Sequence, residues 1–454
     1  MRDCATILKT KAPMKKKLIR YTGMAAAALM IALPFRLEAA GESAARPLTL
    51  EETIRLAREH NPSLKAAAEE VNAADARIRQ QQSAYYPQIT ASAGYRYIDP
   101  VSEMGFGGGE PIQFMPNDNY EAKITAKATL LDFGKRGNEV DIARAGKNAA
   151  SHTLDIARRD ISYQTVELFY GILFLRESIR VEEKEITALR KAFDYTSKRY
   201  QAGTATRFDV LSTDVRIQAA RSKKLGLEHQ LRRHELTLRR LTGLAVNTPL
   251  DLKGNFSVLP ARPDEAALVE NAIQRRPELK LAGEYEQSAR LRRSLAMKEG
   301  LPVVSASASW GVTNGYQPDI DEIRENVAAG VQVELPIFTG FRTSAQRQEA
   351  AALLRAAAER RIDTEEQVRT DVQETVHALE TARENILTTE SQVQQAKLAA
   401  EHARARYENG MATTLDLLDT EASLAQAELA RLQAAYDYVL NNYTLKRATG
   451  EVFW

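Results

Sequence analysis

Cysteine is almost missing from this 454-residue chain. The single Cys4 lies near the start, so a disulfide scaffold, a Cys-ligated zinc site and a cysteine nucleophile are all excluded from the body. A body without thiols suits an oxidising compartment. Long greasy runs are missing as well: beyond the first 40 residues no uninterrupted apolar stretch reaches 18, so no transmembrane helix is expected and any membrane crossing must use strands. Net charge is small. Of 62 basic and 60 acidic residues, eight basic and two acidic ones fall within positions 1–40, leaving 54 against 58 in the remainder. That mildly acidic body lacks the basic stripe a nucleic-acid binder needs, so no nucleic-acid partner is expected. Aromatics are only 7% of the chain, yet 44% apolar content is enough to bury a large core. His60, His152, His229, His234, His377 and His402 include no pair at i, i+4 with a Glu between them, and no nucleophile or acid–base pair converges. Neither an enzyme, a cofactor nor a metal site is expected.

What is present begins with a leader. Lys15, Lys16, Lys17 and Arg20 precede an apolar run from Met24 to Phe35, followed by the small residues Ala39 and Ala40. This order reads as a secretory signal over residues 1–40, since a run of about 12 residues is too short for a spanning helix. With no cysteine after the run, a lipid-anchored N-terminus is not expected.

The body is written twice. Asn61-Pro62-Ser63-Leu64 recurs as Arg276-Pro277-Glu278-Leu279, and Tyr86-Pro87 as Leu301-Pro302, both 215 residues on. Asp132-Phe133-Gly134 returns as Phe338-Thr339-Gly340 at 206. Arg199-Tyr200-Gln201-Ala202-Gly203 returns as Arg406-Tyr407-Glu408-Asn409-Gly410, Asp209-Val210-Leu211 as Asp416-Leu417-Leu418, and Thr242-Gly243 as Thr449-Gly450, all at 207. Landmarks kept in order and spacing signify an internal duplication. The shorter offset places about nine extra residues between Pro87 and Gly134 of the first copy. That insertion includes Gly105-Phe106-Gly107-Gly108-Gly109, which lacks the following Lys-Ser or Lys-Thr of a phosphate loop and reads as an outward loop between strands. The expected division is a first repeat at 48–250, a linker at 251–275, a second repeat at 276–450 and a tail at 451–454.

Both copies share a plan of helix, two short alternating segments, a very long helix and a glycine turn into a last helix. Long helices are expected over 135–202 and 341–409, and closing helices over 206–242 and 413–449. The first long helix is proline-free and, at about 1.5 Å per residue, near 100 Å long. Apolar residues recur at heptad steps, as Leu154, Ile161, Leu168 and Leu175 interleaved with Ile172, Ile179, Ile186, Phe193 and Tyr200. Val372, Leu379, Ile386, Val393, Ala400 and Tyr407 repeat the pattern, so both rods are expected to pack as coiled coils.

Strands are expected at 88–97, 122–131, 303–313 and 327–338. Ile89, Ala91, Ala93, Tyr95 and Tyr97 share one face, as do Ile124, Ala126, Ala128 and Leu130. Val304, Ala306, Ala308, Trp310 and Val312 share another, as do Val327, Ala329, Val331, Val333 and Leu335. Roughly 10-residue strands that are apolar on one side and polar or small on the other mark an outer-membrane barrel wall. Two hairpins lying on a soluble core would alternate in the same way, but no other apolar surface is large enough to cover them. Four strands leave two open edges, which the membrane core forbids, so several chains must close the barrel: two give eight strands and three give twelve.

Leader, doubled plan, Asn61-Pro62 helix break, strand exits at Asp132-Phe133-Gly134 and Thr339-Gly340, and paired Arg-Tyr-x-x-Gly turns together resemble the TolC family of outer membrane efflux channels. The resemblance spans about residues 48–450. It implies a mainly α fold with a small β part: a homotrimer whose four strands per chain build one 12-stranded barrel in outer-membrane lipid, continued by a helical tunnel through the periplasm. It also implies a periplasmic adaptor and an inner-membrane pump as partners, with no chemistry by the channel itself. A duct for secreted proteins and a soluble periplasmic coiled-coil scaffold stand as alternatives.

The family closes its tunnel with a tyrosine, aspartates and a basic side chain, and the matching gate positions are Asp209, Tyr407, Asp416 and Asp419. Ala412 stands where the best-known member has the basic residue; either Arg207 or Arg406 substitutes, or the closed state is less tightly latched. Thr206-x-x-Asp209 and Thr413-x-x-Asp416 read equally well as capping boxes. Three converging chains would crowd nine carboxylates into one mouth, so cation selectivity and block by multivalent cations are expected. Gly203, Leu211, Gly410 and Leu418 are the expected adaptor contacts, and apolar residues beside a turn serve intersubunit packing equally well.

Overall fold

A computed structural model describes residues 47–105, 107, 112–256 and 264–453; the leader and most of the Gly105–Gly109 run lie outside them. The first repeat runs α1 (Leu50–His60), α2 (Pro62–Gln82), β1 (Gln88–Tyr97), β2 (Glu103–Met104), β3 (Ile112–Gln113), β4 (Asp118–Leu131), α3 (Lys135–Gln201) and α4 (Arg207–Thr242). The second runs α5 (Glu265–Arg275), α6 (Pro277–Lys298), β5 (Val303–Thr313), β6 (Arg324–Glu334), α7 (Arg342–Glu408) and α8 (Thr414–Thr449). α3 and α7 are each 67 residues long, and α4 and α8 are each 36. Among the described residues no helix is long and apolar enough to cross a membrane.

The stretch expected as a linker contains a helix. α5 occupies its second half and is the counterpart of α1, both being 11 residues. The second repeat therefore opens at α5 rather than at residue 276. Leu268, Val269 and Ala272 drive this, because their helical spacing presents one apolar side to Val368, Val372 and Val376 of α7. At the other end of the stretch, Leu252 is buried and bridges to Leu48. The strands also shift at their ends: β4 starts at Asp118, where Tyr120 extends the pairing to Tyr95, and β6 stops before Pro336, which has no N–H for a ladder.

α3 packs against α2, α4, α6 and α8, and α7 against α5, α6 and α8. Their heptad seams supply three apolar clusters. One joins α1, α3 and α4 through Ile54, Phe169, Ile172 and Leu238; a second joins α5, α7 and α8 through Val372, Leu379, Tyr438 and Leu445. A third, nearest the helix turns, contains Ile186, Leu189, Ile217, Leu417 and Leu418.

The two repeats diverge where a short helix hands over to the next. Asn61 ends α1 by donating its N–H to Ala57, and its Oδ1 accepts from Ser63 N–H (2.9 Å) and Leu64 N–H (3.4 Å), capping α2 ahead of Pro62. Arg276, in the same place, caps nothing with its side chain. Instead it pairs with Glu278 (3.1 Å) and with Asp371 of α7 (2.6 Å), and Glu278 meets buried Arg159 of α3 at 2.6 Å as a charge contact without hydrogen-bond alignment. Burial alone would raise the Glu278 pKa, but hydrogen bonds from Arg276 and the charges of Arg159 and Arg276 outweigh it and bring it to about 2. Since the folded value lies below the ordinary 4.5, this carboxylate stabilises the fold above pH 4.5, and that contribution disappears as pH falls toward 2. Glu278→Gln is expected to lower unfolding stability at neutral pH by on the order of 3 kcal/mol. Denaturant unfolding followed against pH should also show a shallower acid limb in the variant.

Candidate functional site

The long strands form one antiparallel sheet in the order β1-β4-β5-β6, and its register decides what each face is. Ala91 lies opposite Ile124, Ile124 opposite Trp310, and Trp310 opposite Val327. The neighbouring row is Ile89, Ala126, Ala308 and Ala329. Directly opposed residues share a face, so the four apolar alternations merge into one greasy surface. It is open rather than covered by the chain: Ile89 is 70% exposed and Val327 74%. The other face carries rows such as Thr90, Thr125, Ser309 and Ala328. Among the described residues β1 and β6 each lack a partner on their outer side.

Strands enter helices at tight corners. Asp132 accepts from the N–H groups of Gly134 (3.1 Å) and Arg136 (3.0 Å) and from Arg136 Nε (2.8 Å). Arg136 also donates to the carbonyls of Thr129 and Ala84 and lies over the Tyr85 ring, tying strand, corner and preceding helix together. The second corner is lighter, with Thr339 Oγ1 accepting from Thr343 N–H at 3.4 Å. Phe133 and Phe341 both sit at positive φ in these corners.

At the opposite end of the rods, residues 202–206 and 409–413 turn the chain back. Gly203 and Gly410 each have φ +73°, a left-handed conformation costly to any residue with a Cβ. Each turn is followed by a full capping box. Asp209 Oδ2 accepts from Thr206 N–H (2.8 Å) and Oγ1 (2.6 Å), and Asp416 Oδ2 from Thr413 N–H (2.9 Å) and Oγ1 (2.7 Å). The bonds from Thr206 hold the Asp209 pKa below its ordinary value, and the backbone and hydroxyl bonds from Thr413 do the same for Asp416. Both carboxylates are therefore anionic at neutral pH.

A profile of the family described as outer membrane efflux protein matches residues 53–244 and 268–451. The chain belongs to that family. The outer membrane efflux protein BepC of Brucella suis biovar 1 (strain 1330) is 26% identical over 409 residues, covering 89% of this chain and 86% of that protein. The outer membrane protein TolC of Vibrio cholerae serotype O1 is 23% identical over 410 residues, covering 88% and 90%. The solved structure of the outer membrane protein VceC from Vibrio cholerae matches with a TM-score of 0.75 at 23% identity, over 89% of this chain and 97% of that one. Membership makes this an outer membrane efflux channel with the TolC-type fold, in which each chain contributes its strands to a shared barrel and its rods extend into the periplasm. The family is one of channel proteins.

Within one chain of this efflux protein the expected gate positions have different bonding partners. Tyr407 is 2% exposed and its hydroxyl bonds Thr196 (2.7 Å) and Thr414 (3.1 Å), pinning the end of α7 to α3 and to the start of α8. Its counterpart Tyr200 is 47% exposed. Asp419 pairs with Arg216 of α4 at 2.6 Å, while Arg406 donates to the Met411 carbonyl within its own turn and its charge helps lower the Asp416 pKa. Leu418, expected as an adaptor contact, is instead 1% exposed in the apolar cluster at the helix turns, because α8 turns both Leu417 and Leu418 inward. Leu211 is exposed, and so are Phe208, Met411 and Leu415 in the turn segments 204–210 and 411–417 that the sequence also singles out for adaptor contact, and Val215, which sequence reading passed over. The signal for the first helix was available, since Phe208, Leu211 and Val215 recur at helical spacing.

Between α3 and α7, floored by α8, lies a groove of about 760 Å³ lined in part by Lys184, Lys191, Tyr195, Arg404, Glu408 and Glu421. Arg404 grips buried Glu421 through two hydrogen bonds. Higher on α3, Glu182 is buried with one carboxyl oxygen unpartnered, and burial, followed by the nearby Glu182 charge, pushes the Glu185 pKa up. Gly203→Ala and Gly410→Ala should each cost about 1–2 kcal/mol locally. Hydrogen exchange is expected to quicken in the last turns of α3 and α7 while the rest of both rods stays protected.

Proposed function

We propose that three copies of this chain form the exit duct of a tripartite efflux system, a passive conduit engaged by a periplasmic adaptor and driven by an inner-membrane pump. One observation carries the reading: the register fuses four strands into a single greasy face bounded by two unpaired edges. Lipid satisfies the face, and neighbouring chains satisfy the edges. A soluble scaffold would have to bury both with protein, and among the described residues of this chain Ile89, Trp310, Val327 and Val331 on the apolar rows stay exposed.

The periplasmic tip acts as the gate in this proposal. Asp209 and Asp416 each commit one carboxyl oxygen to a cap and keep a full negative charge, so their capping role and a role at the mouth are compatible. Asp419 adds a third carboxylate one turn further along α8, and its bond to Arg216 ties the two helix hairpins of a chain together. Tyr407 works from inside, fixing where α7 ends. The exposed Phe208, Leu211, Met411 and Leu415 beside Gly203 and Gly410, with the α3–α7 groove, provide the adaptor's landing surface.

The purified protein is expected to fractionate with outer membranes, resist extraction by salt, and conduct in planar bilayers with cation preference and block by trivalent cations. Asp416→Ala combined with Asp419→Ala should weaken that block roughly tenfold, equivalent to about 1.4 kcal/mol. Arg216→Ala should raise the open fraction by releasing the hairpins. Block and gating that ignore all three substitutions would remove the tip from the gate, and salt extraction without conductance would remove the channel itself.

A further inference from the structure

The polar face of the sheet is chemically lopsided. Across all four strands, the band that begins one same-face row below Glu121 contains Ser92, Lys123, Gly311 and Asn326; then Thr90, Thr125, Ser309 and Ala328; then Gln88, Lys127, Ser307 and Gly330; then Thr129, Ser305 and Gln332; and last, at the helix corners, Val303 and Glu334. Lys123 and Lys127 are its basic members, and the carboxylate of Glu334 lies in its last row, two same-face rows and two strands away from Lys127. Acidic Glu121 reaches Lys123 from the adjoining row at 2.5 Å and largely offsets it. Lys127 has no such partner among the described residues and is exposed. On its β5 side the surroundings are small: Ser307 lies directly opposite it and Gly330 beyond, while Gln88 faces it from β1, and two same-face rows away Gly311 lets β5 approach so closely that a Cβ there would meet the Ala122 carbonyl at 2.3 Å. The ammonium therefore stands over a floor of hydroxyls and bare backbone, free to extend from the wall.

We propose that Lys127 is a specificity-determining residue of the channel: one from each of three chains forms a cationic ring inside the barrel that attracts and retains anionic solutes. This rests on the reading that the sheet closes into a barrel with its polar face inward. Like charges held around a narrow bore of low-dielectric wall focus their field and raise the local concentration of the opposite sign, and rings of Lys or Arg are the expected lining of an anion-preferring constriction. The ring lies at the strand end of the duct, about a full rod length from the carboxylates at the helix turns, far beyond the roughly 8 Å over which physiological salt lets charges sense one another. The two ends are thus independent: the turns favour cations and the barrel favours anions.

The test uses the purified full channel in planar bilayers, with inorganic tripolyphosphate added on the side facing the strands. Voltage-dependent block is expected in the wild type, retained in Lys127→Arg, weakened at least roughly tenfold in Lys127→Gln, and unchanged by Asp416→Ala with Asp419→Ala. A second measurement avoids dependence on how well any one variant assembles. In a Lys127→Cys channel, a cationic aminoethyl methanethiosulfonate should restore block during recording and an anionic sulfonatoethyl reagent should abolish what remains. Normal conductance with equal block in wild type and Lys127→Gln, or thiol modification of either sign without effect, overturns the ring. Absence of any wild-type conductance overturns the barrel reading instead.

Discussion

The unmade backbone hydrogen bonds along the outer sides of β1 and β6 constrain the rest of this molecule. β4 and β5 are paired on both flanks, but the two terminal strands expose a row of N–H and C=O groups apiece. In water that is a modest liability; in hydrocarbon each unsatisfied group costs several kcal/mol. One chain therefore cannot place its sheet in lipid, and membrane insertion is coupled to assembly. The rods inherit the same coupling, because α3 and α7 spring directly from strand exits and their spacing is set by where β4 and β6 end.

Duplication supplied the parts and divergence gave them different work. The helices match nearly residue for residue in length, yet the hinge between short helices is a neutral asparagine cap in one copy and an arginine ion-pair node in the other. The strand corner is a buried Asp–Arg pair in the first copy and a threonine in the second. At the helix turns Tyr407 is locked inside while Tyr200 faces outward. A ring of three such chains is thus six similar hairpins of two alternating kinds, and the differences concentrate at the corners and turns, where elements change direction.

Most of the architecture was legible because it rests on periodicity. Heptads gave the rods and period-two alternation gave the strands, and both patterns are properties of local sequence. α5 escaped because it is only 11 residues long and is followed by Arg276, which signals no cap. At the tips the capping boxes were readable, being contacts three residues apart. The Arg216–Asp419 pair was not, since its members are 203 residues apart and meet only when the hairpins pack. Leu418 was misjudged for a related reason: burial beside a turn depends on the phase with which α8 meets α3 and α4, and a pair of adjacent leucines leaves that phase open.

The two strand connections differ in a way that shapes the outward end. Between β1 and β4 the chain spends residues 98–117 and folds part of them into the β2–β3 ribbon, whereas residues 314–323 suffice between β5 and β6. Around a ring of three chains, a long and a short connection alternate, three of each. Whatever lands there from the surroundings meets two kinds of connection in turn, and the longer kind offers it more side chains.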